Sequence, residues 1–151
     1  MKKAKALNLS QSKKLFDEAY KVIPGGTQTF SKAPAQHVSG VSPKLLMRAS
    51  GCNVWDVDGN KYIDYMMALG PNILGYADKE INEAAYEGAK LGVNSSLGHP
   101  LESQLAQELV SKIPCAQMVR FGKNGSDVTA AAIRVARGYT GRDKVLVCGY
   151  H

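Results

Sequence analysis

Residues 117–149 carry the sequence pattern that most restricts the fold of this chain. An apolar run, QMVRF at 117–121, is followed by a turn and by a predicted helix, capped by Asn124 or Ser126, that runs to about Arg137, with Gly138 as its C-terminal glycine. A second apolar run, KVLVCG, occupies residues 144–149. A strand, a helix and a strand in this order connect two parallel strands through a crossover. The pattern therefore predicts an α/β fold with a mainly parallel sheet.

The turn between the first strand and the helix has the composition of an anion site. A helix that follows a parallel strand directs its free N–H groups beyond the carboxyl end of that strand, where a phosphate group is favoured. Gly122 and Gly125 allow the backbone to approach a ligand, and Ser126 adds a hydroxyl donor. The same residues are equally compatible with an ordinary turn and helix cap that binds nothing. Tyr150 follows the second strand at the same edge, where it either stacks on a flat ring or simply ends the strand.

The residues before this unit predict helices and a small antiparallel sheet. Alternating runs at 45–66, with Asp58-Gly59 between two of them, indicate a meander with a tight hairpin. Residues 25–44 are rich in Gly, Ser, Thr and Pro, and we predict that they form a long loop, of the kind that is functional or mobile in compact domains. Amphipathic patterns predict helices at 10–23, at 78–91 with Asp78 as its cap, and at 101–113. We therefore divide the chain into an N-terminal segment, 1–66, and the start of a larger domain, 67–151.

Charge and cysteine content argue against several classes of protein. The formal net charge is +6, but five of the 19 basic residues precede residue 15 and the others are scattered, so we expect no nucleic-acid partner. The three cysteines are far apart and lack the spacing of a zinc site or a disulfide framework. This indicates no metal and a reducing, cytoplasmic location. No apolar run approaches the roughly 18 residues of a membrane span, so we expect no membrane partner.

The order of the motifs resembles that of the class III aminotransferases, which are pyridoxal-phosphate (PLP) enzymes of fold type I, and in particular the glutamate-1-semialdehyde 2,1-aminomutase group. Four segments carry the resemblance, which covers roughly residues 22–151: PGGTQTFSKAP, GCNVWDVDGNKYIDYMMALGPNILGYADKEI, VRFGKNGSDVTAAAIRVARGYTGRDKVL and GYH. The resemblance implies transfer of an amino group to a carbonyl, or a 1,2-shift of an amino group, on a small-molecule substrate. It also implies PLP as cofactor and a homodimer as the full-length assembly.

The resemblance further implies which residues form the site. The implied cofactor contacts are Asn124, Gly125, Ser126, Tyr150 and His151. The implied substrate contacts are Thr29 and Lys32, in a loop that lies over the substrate in the aminomutases. Lys32 stands where that group usually has Arg, and Lys offers a point charge in place of a bidentate fork.

No catalytic residue is assigned in this chain, because the family's Schiff-base lysine, and the acid that pairs with the pyridine nitrogen, follow later than the GYH segment. We expect the chain to be the N-terminal portion of a longer protein and to be inactive alone. Aminomutases, transaminases of ω-amino substrates and enzymes of sugar amination all remain open. So do a non-catalytic binding or regulatory domain that keeps the fold and a nucleotide-binding βαβ domain. Weaker candidates for the site are His37, Ser95, Ser96 and His99.

Overall fold

Three short strands form an antiparallel sheet in the segment where the alternating pattern predicts a meander. They are β1 (Leu46–Ser50), β2 (Asn53–Asp56) and β3 (Lys61–Ile63), in the order β1-β2-β3. Asp58 and Gly59 lie in the turn between β2 and β3, as predicted, and Gly59 has a φ of +86°. The register places Arg48 opposite Trp55 and Trp55 opposite Lys61, with an irregularity between Leu46 and Arg48.

The computed structural model describes residues 7–149, which fall into two compact units that meet in sequence at Val93 and Asn94. The described residues contain four α-helices: α1 (Ser10–Tyr20), α2 (Lys79–Lys90), α3 (Pro100–Lys112) and α4 (Gly125–Thr140). The sheet, α1 and α2 belong to the first unit, and α3 and α4 to the second. The predicted division at residues 66 and 67 stays a prediction about the domains of the whole protein. None of the helices within residues 7–149 combines the length and the apolar character that crossing a membrane requires.

Helix α1 is attached to the sheet by hydrogen bonds that span a long stretch of sequence. The two carboxylate oxygens of Asp58 accept from the backbone N–H groups of Gln11 and Ser12, each at 2.8 Å. The buried hydroxyl of Ser12 accepts in turn from the N–H groups of Lys44 and Leu45, at 2.8 and 3.2 Å. The start of α1 is thus capped by the hairpin turn. The helix ends at Tyr20, earlier than the predicted Ile23.

Asp56 is the buried polar centre of the sheet. Its carboxylate accepts from the backbone N–H of Asn60 at 2.8 Å, the Asn60 side-chain amide at 2.7 Å, the Asp58 N–H at 3.0 Å and the Tyr62 hydroxyl at 2.7 Å. Burial opposes its ionisation, but the hydrogen bonds from Asn60 and Tyr62 outweigh burial and hold the pKa of Asp56 below its ordinary value. The carboxylate therefore fixes the geometry of the β2–β3 hairpin.

The predicted loop at 25–44 contains three short 3₁₀ turns, at Pro24–Gly26, Phe30–Lys32 and Pro34–Gln36. Helix α2 begins after Asp78, as predicted, with the Asp78 carboxylate accepting from the Ile81 N–H at 3.0 Å. Helix α3 begins one residue earlier than predicted, at Pro100.

Two of the predicted strands are wrong within the described residues. Neither 117–121 nor 144–149 forms a strand, although the helix between them is present. The backbone N–H and C=O groups of a strand need hydrogen-bond partners in a neighbouring strand. Residues 94–149 contain no strand that could supply them. The predicted end of the helix is also wrong. Gly138 lies inside α4, and Gly141, with a φ of +66°, is the residue that ends it.

Candidate cofactor site at the start of helix α4

Helix α4 begins at the turn for which the sequence predicts an anion. Asn124 is extended (φ −120°, ψ 155°), and the helix runs for 16 residues from Gly125. The backbone oxygen of Asn124 accepts from the N–H groups of Asp127 and Val128, at 3.1 and 3.2 Å. Within the described part of the chain, the N–H groups of Gly125 and Ser126 and the Ser126 hydroxyl have no hydrogen-bond partner. These three donors are exposed and close in sequence.

The side chain of Asp127, in the first turn of α4, bonds back to the residue that precedes the helix. Its carboxylate accepts from the backbone N–H of Asn124 and from the Asn124 side-chain amide, both at 3.2 Å. The carboxylate is therefore bonded back to residue 124, through one backbone and one side-chain N–H group of Asn124. Thr129 adds a further bond, from its hydroxyl to the Gly125 oxygen at 2.9 Å. The first turn of α4 is thus stabilised by hydrogen bonds from its own side chains.

The two glycines of the turn have different roles. A Cβ at Gly122 would lie 2.6 Å from Cγ1 of Val128, so this glycine lets the preceding chain pass close to the first turn of the helix. A role of Gly122 in backbone approach to a ligand stays a prediction, and the contact with Val128 is a second reason for glycine at this position. A Cβ at Gly125 would meet nothing within 4 Å, so that position leaves open space beside the free N–H groups.

The donor set fits a phosphate monoester. The backbone N–H groups at the start of a 16-residue helix carry the positive end of the helix dipole, and a hydroxyl lies beside them. The one carboxylate in the turn, that of Asp127, is already bonded to Asn124. A dianion is the ligand for which these donors are suited.

The other predicted site residues lie elsewhere. Thr29 directly precedes the 3₁₀ turn Phe30–Lys32, and Lys32 is its last residue; the Lys32 N–H donates to the Thr29 oxygen at 2.9 Å, and both side chains are exposed. They belong to the first unit, whereas 124–126 belong to the second. Tyr150 and His151 lie outside the described residues, so the predicted contacts with the cofactor ring stay predictions.

His99 has a structural role that the sequence analysis missed. The ring Nδ1 of His99 accepts from the Leu101 N–H at 3.2 Å. The backbone N–H of His99 donates to the Glu102 carboxylate at 3.0 Å. His99 is thus the cap of α3. Pro100 directly after it and Glu102 three residues on are the local signal that indicates this cap. Ser95, another weak candidate, donates its hydroxyl to the Leu97 oxygen at 2.6 Å within its loop.

The chain has the fold of a PLP-dependent transferase. It resembles the PLP internal aldimine form of the FumI protein of Sphingopyxis sp. MTA144 with a TM-score of 0.82 and 38% sequence identity. The similarity covers 88% of this chain and 32% of that one. It confirms the predicted class, an N-terminal part of a fold type I transferase, although the two predicted strands of the second unit are not formed.

The sequence comparison identifies the family to which the chain belongs. The model of the family Aminotransferase class-III matches residues 35–151, and the chain belongs to this family. A glutamate-1-semialdehyde 2,1-aminomutase of Methanosphaera stadtmanae is 42% identical over 140 residues, covering 93% of this chain and 32% of the relative. A 3-aminobutyryl-CoA aminotransferase of Cloacimonas acidaminovorans is 42% identical over 149 residues, covering 98% of this chain and 36% of the relative. The chain thus spans about a third of the length of these relatives.

Proposed function

We propose that this chain supplies the phosphate-binding turn of a PLP-dependent class III aminotransferase or aminomutase. The observation that carries the proposal is the start of α4, where the N–H groups of Gly125 and Ser126 and the Ser126 hydroxyl have no partner within residues 7–149. Membership of the class III family and similarity to a PLP-containing structure support PLP as the dianion. PLP supplies an electron sink for chemistry at the carbon that bears the amino group.

Each residue of the turn has a distinct part in the proposal. The N–H groups of Gly125 and Ser126 hold the phosphate with help from the helix dipole. Asp127 keeps Asn124 extended, so that these two N–H groups stay directed out of the helix. Tyr150 covers the ring and His151 lies beside it. No residue of this chain is assigned the role of catalytic lysine.

The substrate is a small molecule that carries an amino group or a carbonyl. Thr29 and Lys32 contact it, and the Lys32 ammonium pairs with a carboxylate or another anionic group of the substrate. Glutamate 1-semialdehyde is one candidate, because the aminomutase of M. stadtmanae is 42% identical to this chain. A β-amino acyl substrate is the second, because the 3-aminobutyryl-CoA aminotransferase of C. acidaminovorans matches 98% of the chain at the same identity.

A homodimer in the cytoplasm completes the proposal. Cys52, Cys115 and Cys148 are all exposed and free in the structure, in keeping with a reducing compartment.

The test is a titration of the ¹⁵N-labelled chain with pyridoxamine phosphate, followed by amide NMR. Pyridoxamine phosphate has no aldehyde, so adducts with surface lysines do not form. We expect the amide signals of Gly125 and Ser126 to shift, and inorganic phosphate to shift the same signals. Ser126→Ala should weaken binding roughly tenfold, since a hydrogen bond to a charged group is lost.

Ser103→Ala is the matched control, because it removes an exposed hydroxyl from α3 in the same unit. It should leave the affinity unchanged. Shifts that avoid residues 124–127, or equal affinities for the two variants, would contradict a phosphate site at the start of α4.

A further inference from the structure

The loop at 65–75 is closed at both ends against the turn that joins β1 and β2. Gly51 and Tyr76 exchange two backbone hydrogen bonds, each of 2.8 Å, and the Asp64 N–H donates to the Cys52 oxygen at 2.9 Å. Gly75 has a φ of +86°, and a Cβ there would lie 3.1 Å from the Gly51 oxygen. The chain therefore leaves the sheet at residue 64 and returns to it at residue 76, as in an Ω-loop.

The middle of this loop is strained. Met67, Ala68 and Leu69 have φ values of +47°, +53° and +72°, and Gly70 follows with +101°. Consecutive left-handed residues other than glycine are unfavourable, and they persist only where the surroundings hold them. We refer to residues 67–70 as the left-handed turn.

Apolar packing within residues 7–149 does not hold this loop in place. Tyr65 is 86% exposed, Ile73 84% and Leu74 72%, and Met66 is also exposed. Within the 151-residue chain most of the apolar side chains of the loop are thus exposed, and burial against this chain contributes little to the conformation of the loop. Polar contacts have to hold the turn instead.

One carboxylate makes the side-chain contacts that fasten the loop. One oxygen of Asp64 accepts from the Met66 N–H at 2.8 Å, directly before the left-handed turn. The other accepts from the Tyr76 hydroxyl at 2.5 Å, across the mouth of the loop. Burial opposes ionisation of Asp64, but the Tyr76 hydroxyl and the N–H groups of 66–68 lower its pKa, so the carboxylate is charged. A charged acceptor strengthens both bonds.

We propose that the Asp64–Tyr76 hydrogen bond holds a strained two-state loop closed. When the bond breaks, the left-handed turn relaxes and loop 65–75 opens, while the three-stranded sheet stays folded. The strain in the turn favours the open state, and the contacts of Asp64 with Tyr76 and Met66 favour the closed one. Loop 65–75 of the first unit thus has a closed and an open conformation.

Amide hydrogen exchange on the 151-residue chain tests this directly. Tyr76→Phe removes only the hydroxyl, and we expect the amides of Met66, Leu69 and Gly70 to exchange at least about tenfold faster. The amides of β2 and β3 should keep their protection. Asp64→Asn, which keeps one of the two acceptor oxygens and loses the charge, should accelerate exchange of the same amides at least as much.

Tyr62→Phe is the matched control, because it also removes a tyrosine hydroxyl bonded to a buried aspartate. It should accelerate exchange in the sheet more than in the left-handed turn. If Tyr76→Phe leaves the loop amides unchanged, or accelerates loop and sheet equally, then the bond does not hold a separate loop closed.

A measurement on the unmodified chain shows whether loop 65–75 opens independently of the sheet, even if a variant fails to fold. In native-state exchange at low urea, opening of the loop alone should be nearly independent of urea, whereas the sheet amides should respond to it. A common urea dependence for residues 66–70 and for the strands would overturn the proposal.

Discussion

At the scale of single residues, Asp58 shows what local pattern can and cannot predict. Asp58-Gly59 between two alternating runs correctly predicts a hairpin, because turn chemistry depends on adjacent residues. The sequence gives no sign that the Asp58 carboxylate also caps α1, because its partners, Gln11 and Ser12, lie 47 and 46 positions earlier. The Asp58 carboxylate meets these two N–H groups only once the chain has folded.

Removing that carboxylate should destabilise the first unit. Asp58→Ala leaves two N–H groups at the start of α1 without their acceptor, and we expect the free energy of unfolding to fall by about 2 kcal/mol. Asp78→Ala is the control, because Asp78 caps α2 through the single bond to Ile81 and should cost about 1 kcal/mol. Urea denaturation measures both. Equal losses would mean that the long-range cap adds nothing to a local one.

At the scale of elements, the helices were predictable and the strands of the second unit were not. A helix supplies its own hydrogen-bond partners, so an apolar period with caps is enough to predict α3 and α4. The apolar runs at 117–121 and 144–149 have the composition of strands, but within residues 94–149 no strand is present to pair with them. Strand formation depends on residues that are distant or absent, and local pattern does not contain that information.

The end of α4 gives a pair of opposed predictions. Gly138 lies inside the helix, and a Cβ there would meet nothing within 4 Å, so Gly138→Ala should stabilise α4 by about 0.5–1 kcal/mol. Gly141 has a φ of +66°, which alanine adopts only with strain, so Gly141→Ala should destabilise the helix by about 1 kcal/mol. Helical circular dichroism during thermal unfolding measures both. The opposite order would place the end of the helix at Gly138, as the sequence alone suggested.

At the scale of the whole molecule, ionisable pairs are concentrated in the first unit. The pKa values of Asp56 and Asp64 are lowered, because hydrogen bonds outweigh burial. Burial, and then the bonded aspartates, raise the pKa of Tyr62 to about 12 and also raise that of Tyr76. The sequence predicted the candidate phosphate turn from adjacent residues, but it did not predict these pairs, since each joins residues brought together by the sheet.

These pairs determine how stability depends on pH. The folded-state pKa of Tyr62 lies above its unfolded value of 10.0, so its contribution is complete below pH 10 and is lost as the pH rises towards about 12. For Asp56 and Asp64 the folded pKa lies below the unfolded value, so their contribution is present above pH 3.8 and is lost as the pH falls through the folded pKa. Urea denaturation across the pH range should show a plateau that falls at both ends.

Tyr62→Phe isolates the alkaline part of this profile. The variant should lose less stability than the unmodified chain between pH 10 and about 12, because it has no phenol at this position to ionise. Tyr65→Phe is the control, since Tyr65 is 86% exposed, and it should leave the slope unchanged. An identical alkaline slope in Tyr62→Phe and in the unmodified chain would contradict the role given to the Tyr62 hydroxyl.

The cap that the hairpin supplies to α1 also has a consequence for biosynthesis. A ribosome makes residues 10–20 long before Asp58, and a helix of 11 residues is marginal by itself in water. The nascent segment therefore leaves the ribosome before the Asp58 carboxylate that caps it. The cap forms only after the hairpin has left the exit tunnel. A translation complex stalled before residue 58 would carry this stretch without its cap and therefore less helical than in the folded chain.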